Sequence, residues 1–320
     1  MSLQQRAELS SVLDRYPEVF SEIPRLRTAV EHVIPISNDF KPKRSSAYKV
    51  PHHYKAEVSR QIRELEQLGF IEKSTSPMAS PIVCVLKPKD KEGHQSVHIV
   101  IDYRYVNRFT TPSVAPLEDV SELLQQVGQS KILSLFHVKS GYYHCKVAEQ
   151  DRWLTSFVCD DGQFQWTRTP FGMRSSGTTF VRAIKQVLQP IQESTKSFVD
   201  DMIVHSNDWK SHLVSIDSYL SVMKSGGFSL GLKKCELGKP EVKLVGHIVG
   251  GGHRRPNPEK IAAIRNLKEP ETKKQIRQIV CLFPFSASIC LDAGATMPAS
   301  PKRSRPSNNN RDGARLHKPQ

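Results

Sequence analysis

Cysteine pairs, long apolar runs and acidic side chains are what this 320-residue chain has least of. No run of 18 apolar residues occurs, which excludes a membrane-spanning helix and predicts a soluble protein with no membrane partner. The N-terminus has no basic segment leading into an apolar stretch, so no secretory signal is read there. Six cysteines (Cys84, Cys145, Cys159, Cys235, Cys281, Cys290) contain no C-x-x-C pair, which argues against a zinc ribbon and a disulfide-stapled fold. Reduced thiols and an intracellular, cytoplasmic location are the expectation, with virus-like particles or the nucleus as variants of it. Hydrophobic residues make up 38% of the chain, too many for a wholly disordered protein.

The acidic deficit is large: 46 Lys and Arg stand against 32 Asp and Glu, a formal charge of +14. A polyanionic partner is the simplest cause, and nucleic acid the simplest polyanion. Residues 301–320 hold six Lys or Arg and one Asp, so +5 of the charge lies in a segment of disordered composition and +9 in the periodic part of the chain.

Residues 1–53 are polar and proline-punctuated. They predict an extended lead-in with one amphipathic stretch at 8–16, ended by Pro17, and no clear strand. Val58, Ile62, Leu65 and Leu68 predict a helix over 54–68 with Gly69 as its left-handed stop. Short β-rich runs at 81–87 and 98–102 predict a hairpin around the charged segment 89–93. A helix at 117–127, a buried strand at 131–138 and strands at 154–159 and 164–167, joined by Asp160-Asp161-Gly162, follow. Strand 131–138, helix 176–188, hairpin 197–206, helix 209–224 and strand 242–248 make a β-α-β-β-α-β order, the ferredoxin-like arrangement of an α+β fold.

Asp200 and Asp201 fall at the tip of the 197–206 hairpin, where two carboxylates repel and Asn-Gly would turn better. A divalent cation would remove that repulsion. Paired carboxylates holding two Mg2+ are the equipment of phosphoryl transfer, although Asp-Asp between apolar runs alone does not decide it.

Seven ordered blocks do more. Gly69-Phe-Ile-Glu-Lys-Ser-Thr-Ser-Pro-Met-Ala-Ser-Pro-Ile-Val83, Ile101-Asp-Tyr-Arg-Tyr-Val-Asn107, Ser140-Gly-Tyr142, Thr169-Pro-Phe-Gly-Met173, Phe198-Val-Asp-Asp201, Lys234-Cys-Glu236 and Leu244-Val-Gly-His247 resemble, in order and spacing, the reverse transcriptase of Ty3/gypsy-type LTR retrotransposons, over residues 28–280. The resemblance implies a right-hand polymerase. Fingers and the start of the palm would occupy 54–130, the palm 131–250, the start of the thumb or connection 251–280, and a disordered or frame-shifted tail 281–320. It implies an RNA-directed DNA polymerase with Mg2+ or Mn2+ as cofactor and an RNA or DNA template-primer and deoxynucleoside triphosphates as partners.

Position by position, the resemblance makes Asp200 and Asp201 metal ligands, Asp200 the firmer. Tyr142 matches the aromatic beneath the incoming sugar, and Phe171-Gly172 the loop against which nucleotide and template base pack. Lys87, Lys89 and Arg104 would face the nucleotide. Leu244, Gly246 and His247 belong to the turn that grips the primer. Lysines in a solvated hairpin and a core tyrosine explain some of these positions equally well.

The departures matter as much. The family reads Phe-Ser-x-Leu-Asp-Leu before Ser-Gly-Tyr; this chain reads Leu133-Ser-Leu-Phe-His-Val138, so His137 stands where a metal-bridging aspartate belongs. Imidazole is a borderline nitrogen donor and Mg2+ demands hard oxygens. His98 replaces an arginine expected at the triphosphate, Ser176-Gly177 replace Ala-Pro, and Val181 replaces a template-contacting glutamine. After Gln278 the pattern stops and the composition changes, as in a decayed or truncated copy of an element. The expectation is a polymerase domain impaired at His137, with a catalytically dead nucleic-acid-binding remnant as the alternative. A nuclease would need an acidic set that is not visible, and a zinc site at His137 and Asp200 would need further ligands that the spacing does not supply.

Overall fold

Ser2 starts the first helix, α1 (Leu3–Leu13): its hydroxyl accepts from the Gln5 amide, and the Gln5 side chain accepts from the Ser2 amide. The computed structural model describes residues 1–88, 95–115, 118–265, 272 and 275, in two units, Met1–Arg254 and Arg255–Gln320. Because of its cap, α1 begins before the stretch expected at 8–16 and ends within it at Leu13, and Pro17 opens a separate turn, Pro17–Phe20. Strand β1 (Arg27–His32) pairs in parallel with Cys145–Val147. The expected extended lead-in without strands is therefore corrected. Leu9, Val12 and Val19 are buried in one core with Phe136, Met202 and Tyr219, and Tyr16 donates to Asp217 and Trp209 to Glu8. Burying the one apolar face of this segment draws it onto the body of the protein.

Helix α2 (His52–Gln67) buries Val58 and Ile62, and Gly69, at φ +66°, reverses the chain as expected. Then come β2 (Ile71–Lys73), β3 (Ser80–Leu86), β4 (Val97–Ile101), α3 (Arg104–Phe109), α4 (Val120–Gly128), β5 (Ile132–His137), β6 (Cys145–Val147), β7 (Phe157–Cys159) and β8 (Gly162–Trp166). The β3–β4 hairpin is present, and its tip, with Lys89, lies outside the described residues. Strand order β2-β8-β7-β3-β4 makes a five-stranded sheet whose core includes Phe70, Ile82, Phe157 and Trp166. Two expected bounds shift for local reasons. Asp119 accepts from the Glu122 amide, so α4 begins at Val120 rather than at 117. Thr155 donates to the Arg152 carbonyl and accepts from the Trp166 amide, holding Glu149–Thr155 in 3-10 turns and shortening the strand expected over 154–159.

The second half of this unit holds α5 (Ser176–Leu188), β9 (Thr195–Phe198), β10 (Asp201–Ser206), α6 (Trp209–Ser225), β11 (Glu236–Lys239), β12 (Val242–Leu244) and β13 (His247–Gly250). Antiparallel strands in the order β11-β5-β10-β9 give the expected β-α-β-β-α-β sheet. Its fourth strand is β11, not the 242–248 run expected from the sequence. Val245 (φ +44°) and Gly246 (φ +77°) instead fold that run into the β12–β13 hairpin, a two-residue turn with both central residues left-handed.

The sheet is covered on both faces. Phe136, Met202 and Val204 pack with Phe180, Ile184, Ile216 and Leu220 of α5 and α6, while Leu133, Leu135 and Ile203 pack with Leu123, Leu124 and Leu244. The second unit contains α7 (Pro258–Arg265), and residues 281–320 lie outside the described residues. No helix among the described residues is long and apolar enough to cross a membrane.

Three histidines are buried as neutral rings. His32 meets Thr179 Oγ1 at 2.8 Å, His144 accepts from the Ser229 amide at 2.9 Å, and His212 lies 2.8 Å from both Ser134 Oγ and Ser206 Oγ. Burial pushes each ring down from 6.5 to about 4. Below pH 6.5 the unfolded chain therefore binds more protons than the folded one, so stability is whole above 6.5 and is lost as pH falls toward 4. Each ring withdraws on the order of 2 kcal/mol at about pH 5, above the range of ordinary carboxylates. Thermal unfolding followed by circular dichroism will give a lower Tm at about pH 5 than at about pH 7.5; equal values would refute neutral burial.

Candidate active site

Antiparallel pairing of β5 with β10 runs from His137 opposite Asp201 to Ile132 opposite Ser206. That register alone brings residue 137 against residue 201. Between β9 and β10 the chain turns over Val199 and Asp200, with Phe198 opposite Asp201. Val199 has φ +55°, a region that a β-branched side chain enters only under strain, on the order of 1–3 kcal/mol. The turn holds Asp200 at the tip, where its carbonyl accepts from the Val138 amide at 2.9 Å.

His137 Nδ1 lies 3.1 Å from Asp201 Oδ1 and 3.5 Å from Asp200 Oδ2. A carboxylate only accepts, so Nδ1 carries the hydrogen in this arrangement. The three ligand atoms lie within 4.8 Å of one another. Their side chains are reachable from solvent: His137 is 21% exposed, Asp200 49% and Asp201 35%.

After β5 the chain passes through Ser140, at φ +48°, into Gly141 and Tyr142. A Cβ on Gly141 would lie 2.7 Å from the Phe180 ring, so only glycine lets the loop lie against α5. Tyr142 is half-buried, with ring centroids 4.8 Å from Phe171 and 5.8 Å from Phe180. Burial first, and then the Asp200 carboxylate, pushes its phenol above the ordinary value. Phe171 is exposed, and Gly172 (φ +89°) reverses the loop. Asn107 fastens it, donating to the Gly172 carbonyl and accepting from the Arg174 amide, both at 2.8 Å. The fold thus gathers His137, Asp200, Asp201, Tyr142 and Phe171-Gly172.

The other expected residues stand elsewhere. Lys87 is exposed just beyond β3, its amide bonded to the Ser96 carbonyl. Arg104 clamps Asp102 with two guanidinium bonds of 2.8 and 2.6 Å, holding that carboxyl below the usual range. The pair lines a concavity with Lys43, Tyr48 and Arg108. Leu244 and His247 are the buried, paired flanks of the β12–β13 turn, with Gly246 at its tip. Val245 and Phe198 pack against the same core, so that turn and the aspartate hairpin share one support. His98 is exposed on β4 opposite Val85, and Val181 is buried in α5.

Sequence reasoning assigned no role to Asn107 or to Lys139, which ion-pairs with Glu22. Asn107 closes the Ile101–Asn107 block, a signal that was present. The Lys139 pair had none, because Glu22 is brought there only by the fold.

A right-hand polymerase sheet carrying an acidic hairpin beside an aromatic platform defines a class of nucleic-acid polymerase. The family model for reverse transcriptase (RNA-dependent DNA polymerase) matches residues 86–249, and the chain belongs to that family. It is 30% identical over 257 residues to the retrovirus-related Pol polyprotein from transposon 297 of Drosophila melanogaster, covering 80% of this chain and 24% of that one. The Pol polyprotein from transposon gypsy of the same fly is 30% identical over 249 residues, 77% of this chain and 24% of that one, consistent with a gypsy-type reverse transcriptase domain. The chain spans about a quarter of the length of these relatives. Among solved structures, the foamy viral protease-reverse transcriptase in complex with dsDNA matches with a TM-score of 0.77 at 25% identity, over 89% of this chain and 59% of that one. The same viral protein in complex with an RNA/DNA hybrid matches at 0.72 and 25%, over 89% of this chain and 38% of that one. The fold is the α+β polymerase fold expected.

Reverse transcriptases in general use divalent metal ions. A pair of Mg2+ does not fit the donors here. A carboxylate can place one oxygen on each of two ions, whereas His137 turns a single nitrogen, Nδ1, toward Asp200 and Asp201. Mg2+ prefers oxygen donors in near-octahedral array.

Gly141→Ala is expected to lower stability by about 1–3 kcal/mol, because the Phe180 ring and its edge-to-face contact with Tyr142 must shift. Urea unfolding will report a lower midpoint at unchanged m; an unchanged midpoint would refute the close approach.

Proposed function

We propose that this chain is an RNA-directed DNA polymerase domain of a gypsy-type retrotransposon, acting on an RNA or DNA template-primer and deoxynucleoside triphosphates, in which His137 removes most or all Mg2+-dependent synthesis. The observation that carries this is the imidazole of His137 set 3.1 Å from Asp201 and 3.5 Å from Asp200. In such a site Mg2+ or Mn2+ would supply the charge that activates the attacking hydroxyl and stabilises the leaving pyrophosphate.

The remaining side chains have roles that do not depend on that pair. Tyr142 and Phe171 present two adjoining, mutually tilted faces on which a nucleotide's sugar and base would rest, and Asn107 fixes the Phe171-Gly172 loop so that this platform is formed before ligand arrives. Lys87 and Lys89 would face the triphosphate. Arg104 would act there only by sharing its guanidinium with Asp102. Leu244, Gly246 and His247 would seat the primer strand. Binding of the polynucleotide would then survive the loss of synthesis, supported by the net charge of +14. An intracellular site of action, in the cytoplasm, a virus-like particle or the nucleus, belongs to the same reading.

Primer extension on a poly-rA/oligo-dT hybrid, with Mg2+ and with Mn2+, tests it. The chain as it stands should extend at least about 100-fold more slowly than His137→Asp, since loss of metal-assisted charge stabilisation removes several kcal/mol. Equal rates would overturn the impairment. Salt-dependent binding of the hybrid by the unaltered chain is expected alongside. Absence of both binding and extension in either chain would overturn the polymerase reading itself.

A further inference from the structure

We infer that His137, Asp200 and Asp201 form a site for a single borderline transition-metal ion, zinc(II) first, in place of a magnesium pair. The inference rests on the same three side chains as the proposed function, but an ion can bind whether or not DNA is made.

Spacing is the first ground. At metal–ligand distances near 2.0–2.2 Å, two ligands on one ion lie about 2.9 Å apart in an octahedral shell and about 3.4 Å apart in a tetrahedral one. The Nδ1 separations of 3.1 and 3.5 Å match ligand-to-ligand spacings in one shell, and the three donor atoms lie within 4.8 Å of one another. Among the described residues this is the one group of three or more His, Cys, Asp and Glu side chains with donors so close.

Donor chemistry is the second. One imidazole nitrogen with two carboxylate oxygens is a zinc set, and the order of affinities for nitrogen-containing sites favours zinc over the harder ions. Two carboxylates also balance a divalent charge. Binding replaces the hydrogen that Nδ1 now donates to Asp201, and the ring hydrogen moves to Nε2.

Support and access are the third. His137 and Asp201 sit opposite each other on the two central strands of a sheet buried on both faces, so the donors are held by the core rather than by a loose loop. Asp200, half-exposed, leaves an open side through which an ion and water can reach the site. Three protein ligands and an open position are the pattern of accessible rather than closed zinc sites.

Calorimetric titration of the full chain with Zn2+ and with Mg2+, and with Co2+ as a visible-absorbing stand-in, tests this without any nucleotide present. One equivalent of Zn2+ should bind more tightly than Mg2+, and Co2+ should give d–d bands. His137→Ala and Asp201→Asn should each weaken Zn2+ by about 100-fold or more, at least the effect of losing an outer-shell partner. His137→Asp should shift preference back toward Mg2+. Unchanged Zn2+ affinity and Co2+ bands in His137→Ala would overturn the site, as would Zn2+ binding no tighter than Mg2+. Should a variant fail to fold, diethyl pyrocarbonate labelling of the unaltered chain decides: Zn2+ should shield His137 from modification read by mass spectrometry, and undiminished labelling would overturn the inference. Zinc binding with normal primer extension would leave this site standing and remove the impairment; no zinc binding with impaired extension would do the reverse.

Discussion

The pairing of Ile132–His137 with Asp201–Ser206 is the constraint on which the rest of the molecule hangs. It sets His137 opposite Asp201 and makes the two central strands of the sheet. A slip of β10 by one residue along β5 would turn Met202 and Val204 toward the α4 side and Ile203 toward α5 and α6, exchanging residues between two cores of different shape. Each core therefore forbids the slip, and the chemistry at the strand ends inherits a register that hydrophobic packing has fixed.

The loops around this sheet are less relaxed than the strands. Among the described residues, three other than glycine take positive φ: Ser140, Val199 and Val245. One follows β5, one lies in the aspartate hairpin and one in the β12–β13 turn. Strain of this kind persists where surrounding contacts over-determine the backbone. Three contacts do so here: the Asp200 carbonyl takes the Val138 amide, Gly141 lies against Phe180, and Val245 and Phe198 rest on a common core. The site is consequently a product of three turns held by two cores rather than of any single loop.

The chain belongs to the reverse transcriptase family, and within it packing and the chemistry at the strand ends are carried by different residues. His137 stands at a partly exposed strand end, between Phe136 and Val138, both fully buried beside it. The donor at that strand end is therefore set by a side chain outside the cores.

Much of the architecture was legible in local pattern. Val58 and Ile62 at helical spacing, Gly69 after the last turn, the apolar run of β5 and the Asp-Asp tip each report a conformation that depends on near neighbours, which is why helix α2, the β3–β4 hairpin and the β-α-β-β-α-β order could be read. The misreadings fell where a distant partner decides. Residues 27–32 became a strand because Cys145–Val147 supplies the other half of the ladder, and Leu9, Val12 and Val19 left the expected lead-in because the α5–α6 face needed cover. Glu236–Lys239, not 242–248, closed the sheet because Val245-Gly246 turns the later run on itself. The sequence by itself determined which residues could bind a metal or stack on a base, since that is a property of side-chain chemistry. Only the tertiary structure decided that His137 Nδ1 meets both carboxylates, because distances between groups far apart in the chain are set by how the cores pack.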